Sequence, residues 1–147
     1  MELSEDTAVW RTRVRYAETD QMGVVHHANY AIWFEASRSE FCRLRGIDYG
    51  QIERDGMLLP VLELRVRYLQ PALYEDEIAV HTRVVEIRRS LLRIQYEVWR
   101  GEVKLAEGET LQMLVAKAGF KPVRFPKEIA ALFLPKPENT GAVKINR

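Results

Sequence analysis

The chain has 147 residues, 47% of them apolar and 29% charged, with a net charge of +1 and a single cysteine. Length and composition suit one folded domain and exclude disorder. The near-zero charge carries no footprint for nucleic acid or for an anionic membrane surface, and Cys42 alone excludes an internal disulfide and a cysteine-based zinc site. No apolar run approaches the ~18 residues that span a bilayer. The opening MELSEDTAVW lacks the basic-then-apolar pattern of a signal peptide. A lone thiol fits a reducing compartment, so a cytoplasmic protein without membrane insertion is expected.

Residues 9–16 (VWRTRVRY) alternate apolar and polar at period two and predict a strand. After the segment ETDQMGVVHHANY, residues 28–45 place Tyr30, Trp33, Phe34, Ser37, Phe41 and Leu44 at helical spacing, with Gly46 as a stop. This predicts a long helix with an aromatic inner face. Residues 48–55 read as one short helix or a pair of turns. Residues 58–69 predict a strand with Leu62, Leu64, Val66 and Tyr68 on one face, and residues 77–87 are β-branched and alternating. Residues 91–100 set Leu92, Ile94, Tyr96 and Val98 on one face. Arg100-Gly101-Glu102 signals a hairpin into a long strand over 103–117, in which Gly108 marks a bulge or bend. Residues 126–134 predict a short helix with proline at its first turn, and residues 135–147 read as a mobile tail after a single domain over 1–134. A strand, a long helix and then consecutive strands predict an α+β fold with an antiparallel sheet of about five strands curved around the helix.

The chemistry concentrates before the long helix. Asp20 and Gly23 suit a turn, with Asp bonding local N–H groups and Gly supplying positive φ. Asp20 equally suits a carboxylate beside a helix entrance, able to activate water or to attack an acyl group. His26, His27 and Asp20 suggest a metal site, but adjacent histidines diverge and His81 stands alone in a strand, so no metal is expected. The unpartnered N–H groups of a helix start polarise a carbonyl placed there, and an aimed donor is worth about 3 kcal/mol to an oxyanion. Arg88-Arg89-Ser90 reads as a charged loop or as a phosphate clamp, with Lys117 and Lys121 able to add to it. Cys42, between Phe41 and Leu44 with no histidine nearby in sequence, reads as a structural thiol. Glu35 and Glu40 face arginines at helical spacing and read as ion pairs.

The stretches TDQMGVVHHANY and WFEASR, then YLQPALYEDE, RRS and KPVRFPKEI, resemble hotdog-fold acyl-CoA thioesterases of the 4-hydroxybenzoyl-CoA thioesterase type, including those associated with Tol–Pal. The resemblance runs from about Val9 to Leu134. It implies a hotdog fold, with the long helix wrapped by the sheet, and a homodimer or homotetramer with sites at the subunit interface. It implies hydrolysis of an acyl-CoA thioester, with CoA as part of the substrate and no cofactor. Asp20 falls on the family's catalytic carboxylate and His27 on the position whose backbone N–H polarises the thioester carbonyl. Gly23, Asn29 and Tyr30 match the substrate-binding helix entrance, and Arg88, Arg89 and Ser90 fall where relatives contact CoA phosphates. Met22 replaces a small residue common in relatives, and His26 remains a loop residue. The competing readings are a hotdog protein that binds acyl-CoA or acyl carrier protein without hydrolysis, a dehydratase or hydratase, a metal-dependent hydrolase and a structural subunit.

Overall fold

A helix whose inner face carries four large aromatic rings must cover them, and the sheet is what covers them. The computed structural model describes residues 6–134. β1 (Ala8–Arg13) leads through a 3-10 turn at Tyr16–Glu18 to α1 (Asn29–Leu44) and α2 (Tyr49–Arg54). Then come β2 (Met57–Leu58), β3 (Val61–Tyr68), β4 (Glu77–Arg88), β5 (Leu91–Arg100), β6 (Val103–Met113), β7 (Val115–Ala116) and α3 (Lys127–Phe133). The main sheet has the order β1-β4-β5-β6-β3, with every neighbouring pair antiparallel. α1 buries Tyr30, Trp33, Phe34, Ser37 and Phe41 against it. The helix-in-sheet hotdog arrangement and the α+β class are therefore what the chain adopts. Residues 135–147, read above as a mobile tail, lie outside the described residues.

Three strand boundaries differ from the sequence reading. The first strand stops at Arg13, because the Val14 N–H turns to the Asp76 carbonyl (2.9 Å) and the 3-10 turn follows. The run over 58–69 breaks at Pro60, which has no N–H to give a ladder, and the run over 103–117 breaks at Leu114. The severed ends, β2 and β7, pair separately as Met57↔Ala116 and Leu58↔Val115. The segment at 48–55 resolves to a helix, with the Asp48 carboxylate capping the Gln51 N–H.

Gly108 marks neither a bulge nor a bend. Its pairings with Tyr96 and Val66 run in unbroken register, and the irregularities fall instead between Val61 and Glu63, Val84 and Glu86, and Val98 and Trp99. Its role is a close approach. A Cβ there would stand 2.5 Å from Phe34 Cε2 and 2.7 Å from the Arg65 carbonyl oxygen. The Phe34 ring occupies that space and stacks on Tyr96, centroids 4.2 Å apart and planes at 7°.

β3 is the sheet's uncovered edge. Leu62, Leu64 and Tyr68 are about half exposed, because α1 lies over the other strands and leaves this one bare. Gly108→Ala is expected to destabilise the fold by about 1–3 kcal/mol, the usual cost of overpacking a filled core. Urea unfolding with an unchanged m-value would measure it, and a loss under about 0.5 kcal/mol would show that the Phe34 ring can give way.

Candidate active site

The loop between the 3-10 turn and α1 is fastened from below by Glu18. The Glu18 carbonyl accepts from the His26 N–H (2.8 Å) and from Asn29 Nδ2 (2.9 Å). Its carboxylate is buried, accepting from the Arg15 N–H at Oε1 (2.8 Å) and from the Trp33 indole at Oε2 (2.8 Å). One residue thus binds the loop's start to its end and to the helix.

Asp20 stands at the head of this loop, half-buried. Its N–H donates to the Val24 carbonyl (2.9 Å) and its carbonyl accepts from the Gly23 N–H (3.0 Å). Gly23 sits at φ 82°, the left-handed region that a side chain would resist. The carboxylate takes the Met22 N–H on Oδ1 (2.9 Å), while Oδ2 accepts no hydrogen bond among the described residues. The turn reading and the reactive-carboxylate reading are thus compatible: one oxygen is tethered and the other is free to face a substrate.

At the loop's far end His26 and His27 are exposed, with rings 4.3 Å apart. The His27 carbonyl accepts from the Tyr68 hydroxyl (3.1 Å). The N–H groups of His27 and Ala28 donate to no acceptor among the described residues, so they remain available at the start of α1. The Asn29 side chain is occupied with the Glu18 and His26 carbonyls (2.9 and 3.2 Å), so it braces the loop. Tyr30 is buried, its ring 4.9 Å from both Trp33 and Tyr68, and it shapes the floor beneath the helix entrance. Met22 is exposed at the tip.

Arg88 ends β4, and Arg89 and Ser90 form the tight turn into β5, with Arg89 at φ 57°. Asp20 belongs to the Glu77 end of β4, since Val24 bridges to Leu73 and the Val25 N–H bonds to the Ala72 carbonyl (2.9 Å). The eleven steps from Glu77 to Arg88, at about 3.3 Å each, set the two ends of β4 about 36 Å apart. One chain therefore does not bring the arginine turn to Asp20. Lys117 lies near that far end, beyond β7, and Lys121 bonds back to Ala116 through its carbonyl (2.7 Å). Cys42 is half-buried on α1, and burial pushes its thiol up to about 11. Glu40 pairs with Arg43 at 2.8 Å as helical spacing suggests, whereas Glu35 makes no ion pair among the described residues. Among the described residues, no group of three or more His, Cys, Asp and Glu gathers as a metal cluster would, and no helix is long and apolar enough to cross a membrane.

A family profile described as the thioesterase-like superfamily matches residues 14–133. The chain belongs to the thioesterase-like superfamily. It is similar to the acyl-CoA thioesterase YbgC of Haemophilus influenzae, 32% identical over 124 residues that cover 82% of this chain and 90% of that protein. Among solved structures it resembles a hypothetical protein of Thermus thermophilus, 39% identical with a TM-score of 0.80, covering 86% of this chain and 96% of that one. It also resembles the DHNA-CoA thioesterase of Staphylococcus aureus, 33% identical with a TM-score of 0.77, covering 80% of each chain.

In this thioesterase the residue that sequence reading missed is Glu18. It opens the ETDQMG stretch, but nothing in its spacing announces burial; the available signal was a carboxylate fifteen residues before a tryptophan whose indole needs an acceptor. Burial pushes the Glu18 carboxyl up, but hydrogen bonds from the Arg15 N–H, the Trp33 indole and the Arg15 guanidinium together outweigh it, and its pKa ends below the ordinary 4.5. A carboxyl held low when folded adds stability above its unfolded pKa and loses it as pH falls through the folded value. Stability should therefore drop as pH falls below about 4.5, and Glu18→Gln should flatten that drop. At neutral pH the amide sets an NH2 against one of two facing donors, so the variant should lose about 1–3 kcal/mol. Thermal melts from pH 7 to pH 3 would show an equal slope in both proteins if Glu18 did not carry the effect.

Proposed function

We propose that this thioesterase hydrolyses acyl-CoA thioesters, with the Asp20 carboxylate and the His27 N–H acting on opposite sides of the thioester carbonyl. The observation that carries the reading is the pairing of a tethered carboxylate with unpartnered N–H groups, in one loop braced at both ends by Glu18. The carbonyl oxygen approaches the start of α1, where the amide and the helix dipole favour the developing negative charge. Asp20 then takes a proton from water as the water adds to the carbonyl carbon. Collapse breaks the C–S bond, and the CoA thiolate leaves and recovers the proton. The alternative use of the same carboxylate is direct attack: Oδ2 bonds to the carbonyl carbon, the thiolate leaves, and water cleaves the mixed anhydride. The His27 imidazole has no part in either route.

The reading extends to a homodimer, with homotetramer as its doubled form. β3 supports it: among the described residues the strand ends the sheet with unpaired backbone groups, and its apolar side chains are about half exposed. A second copy adding its own β3 antiparallel about a two-fold axis covers both. That operation turns the Arg88–Ser90 end of one copy toward the Asp20 end of the other. The arginine turn, remote from Asp20 in its own chain, then serves the CoA phosphates bound to the partner's site. Tyr68 connects the two features, because it belongs to β3 and its hydroxyl holds the His27 carbonyl. An acyl-CoA substrate and a lone cysteine go with a cytoplasmic location.

Release of CoA thiol from short-chain, medium-chain, long-chain and aromatic acyl-CoAs tests the chemistry. Asp20→Asn should lower kcat/KM at least 100-fold on every hydrolysed member while its melt stays near wild type, and chelator should leave the rates alone. Near-full hydrolysis by the variant would remove Asp20 from the mechanism. Leu64→Arg on the bare strand should shift the protein to a monomer in sedimentation and cut activity by at least tenfold, because the site loses its other half. A fully active monomer would overturn the shared site.

A further inference from the structure

The start of α1 spends its donors unevenly. The Asn29 N–H donates to the His26 carbonyl (3.0 Å) and the Tyr30 N–H to the His27 carbonyl (3.3 Å). The Ala28 N–H, like that of His27, donates to nothing among the described residues. The peptide that carries this N–H also carries the His27 carbonyl, and the two groups of a trans peptide point opposite ways from one rigid plane. That carbonyl faces into the helix, toward the Tyr30 N–H, so the Ala28 N–H faces out of the helix's open end. A second donor holds the same carbonyl from across the fold. The Tyr68 hydroxyl, on the edge strand β3, donates to the His27 oxygen (3.1 Å). The Tyr68 ring stands edge-on to the buried Tyr30 ring, centroids 4.9 Å apart and planes at 88°, which fixes where the hydroxyl lies. Burial holds the phenol above its ordinary value, so it stays a donor at neutral pH. A donor on a carbonyl restrains the peptide plane and polarises it, which makes the N–H on the other side a stronger donor.

We propose that Tyr68 is a positioning residue: through the His27–Ala28 peptide it aims and strengthens the Ala28 N–H as a second donor to the thioester oxygen. The inference rests on the acyl-CoA reading above, in which that oxygen approaches the start of α1 beside the His27 N–H. It adds a second N–H and the side chain that orients it. Without the Tyr68 hydroxyl, the contacts among the described residues leave the His27 carbonyl only the Tyr30 N–H, and 3.3 Å is a long hold. A plane free to tilt turns the Ala28 N–H off the oxygen, and a misaimed donor does little for a developing oxyanion.

Tyr68→Phe keeps the ring on Tyr30 and removes only the hydroxyl. On an acyl-CoA that wild type hydrolyses, it should lower kcat about tenfold and leave KM within about twofold, because the donor acts on charge that develops only in the transition state. Ala28→Pro removes the N–H itself at φ −65°, an angle that proline adopts, and should lower kcat about 100-fold. In the Ala28→Pro background, Tyr68→Phe should then cost less than about twofold, since the group it aims is gone. Thermal melts and sedimentation run beside the rates to show that each variant is folded and assembled as wild type is. A wild-type kcat in Tyr68→Phe, or the same loss from it with and without the Ala28 N–H, overturns the assignment. The donors are also read without turnover, through the carbonyl stretch of a bound acylmethyl-CoA ketone, whose carbonyl carbon bears no sulfur and cannot be hydrolysed. The stretch should lie lower on wild type and on Asp20→Asn than on Tyr68→Phe or Ala28→Pro. That order, with hydrolysis that survives Asp20→Asn, would remove Asp20 from the chemistry and keep Tyr68. One stretch in all four proteins sinks the role of Tyr68, and Asp20-dependent hydrolysis beside it would keep the chemistry.

Discussion

The ring of Phe34 lies flat on Tyr96, over a strand position that has no side chain. Offset aromatic stacking and the area it buries hold α1 to the sheet at one height and one rotation. Phe34 belongs to the helix, Tyr96 to β5 and Gly108 to β6, so three elements meet at a single contact. A methyl group on Gly108 would lift the helix from its seat. The contact matters for the site because Trp33 is the next residue along. Once Phe34 is seated, the Trp33 indole is aimed at Glu18, and Glu18 closes the loop that carries Asp20. The position of the carboxylate therefore depends on a packing contact two steps removed from it.

Buried polar pairs sharpen the same seat. Ser37 meets Thr82 of β4, and Tyr96 meets Thr110 and Arg38. Such pairs add little net stability, but each is costly to leave unmade, so they disfavour a helix rotated or slid by one turn. The outer face of the sheet shows the contrast. There Arg65, Glu109, Arg93 and Glu86 form a ladder of ion pairs at 2.5, 3.1 and 3.6 Å. Glu109 is mostly covered and Arg93 and Glu86 are partly so, while the Arg65 head reaches solvent. The fold is set on the inner face, and the outer face keeps that side of the sheet wet and balanced in charge.

A single chain leaves two things unfinished. β3 offers apolar side chains that nothing among the described residues covers, and the basic turn at Arg88–Ser90 stands a full strand length from Asp20. Both follow from one geometric fact: α1, a helix of 16 residues, lies across a sheet wider than itself and along strands longer than itself. A two-fold partner answers both at once, which is why the proposed chemistry and the proposed assembly are one reading.

Much of this was legible in the residues. Helical spacing of Tyr30, Trp33, Phe34 and Phe41 announced the inner face of α1, and alternation along 77–87 and 91–100 announced two central strands. Periodicity is a local property, and local sterics impose it. The TDQMGVVHHANY stretch marked Asp20 and His27 as the place for the proposed chemistry, because turn formers before an apolar helical run leave free N–H groups at a predictable spot. Other features depended on contacts between residues far apart in the chain. Gly108 looked like a bulge until the Phe34 ring, 74 positions earlier, was found to fill its space. Asn29 proved to be a brace through its hold on Glu18, and Glu18 itself carried no mark of burial. The exposed face of β3 had the same alternation as the buried strands, because period two records that one side is apolar and not what will cover it. The sequence by itself determined the elements, their inner faces and the turn-forming loop before α1. Only the tertiary structure decided which apolar face stays bare and which cation lies out of reach of Asp20, because those depend on distances through space that no local pattern encodes.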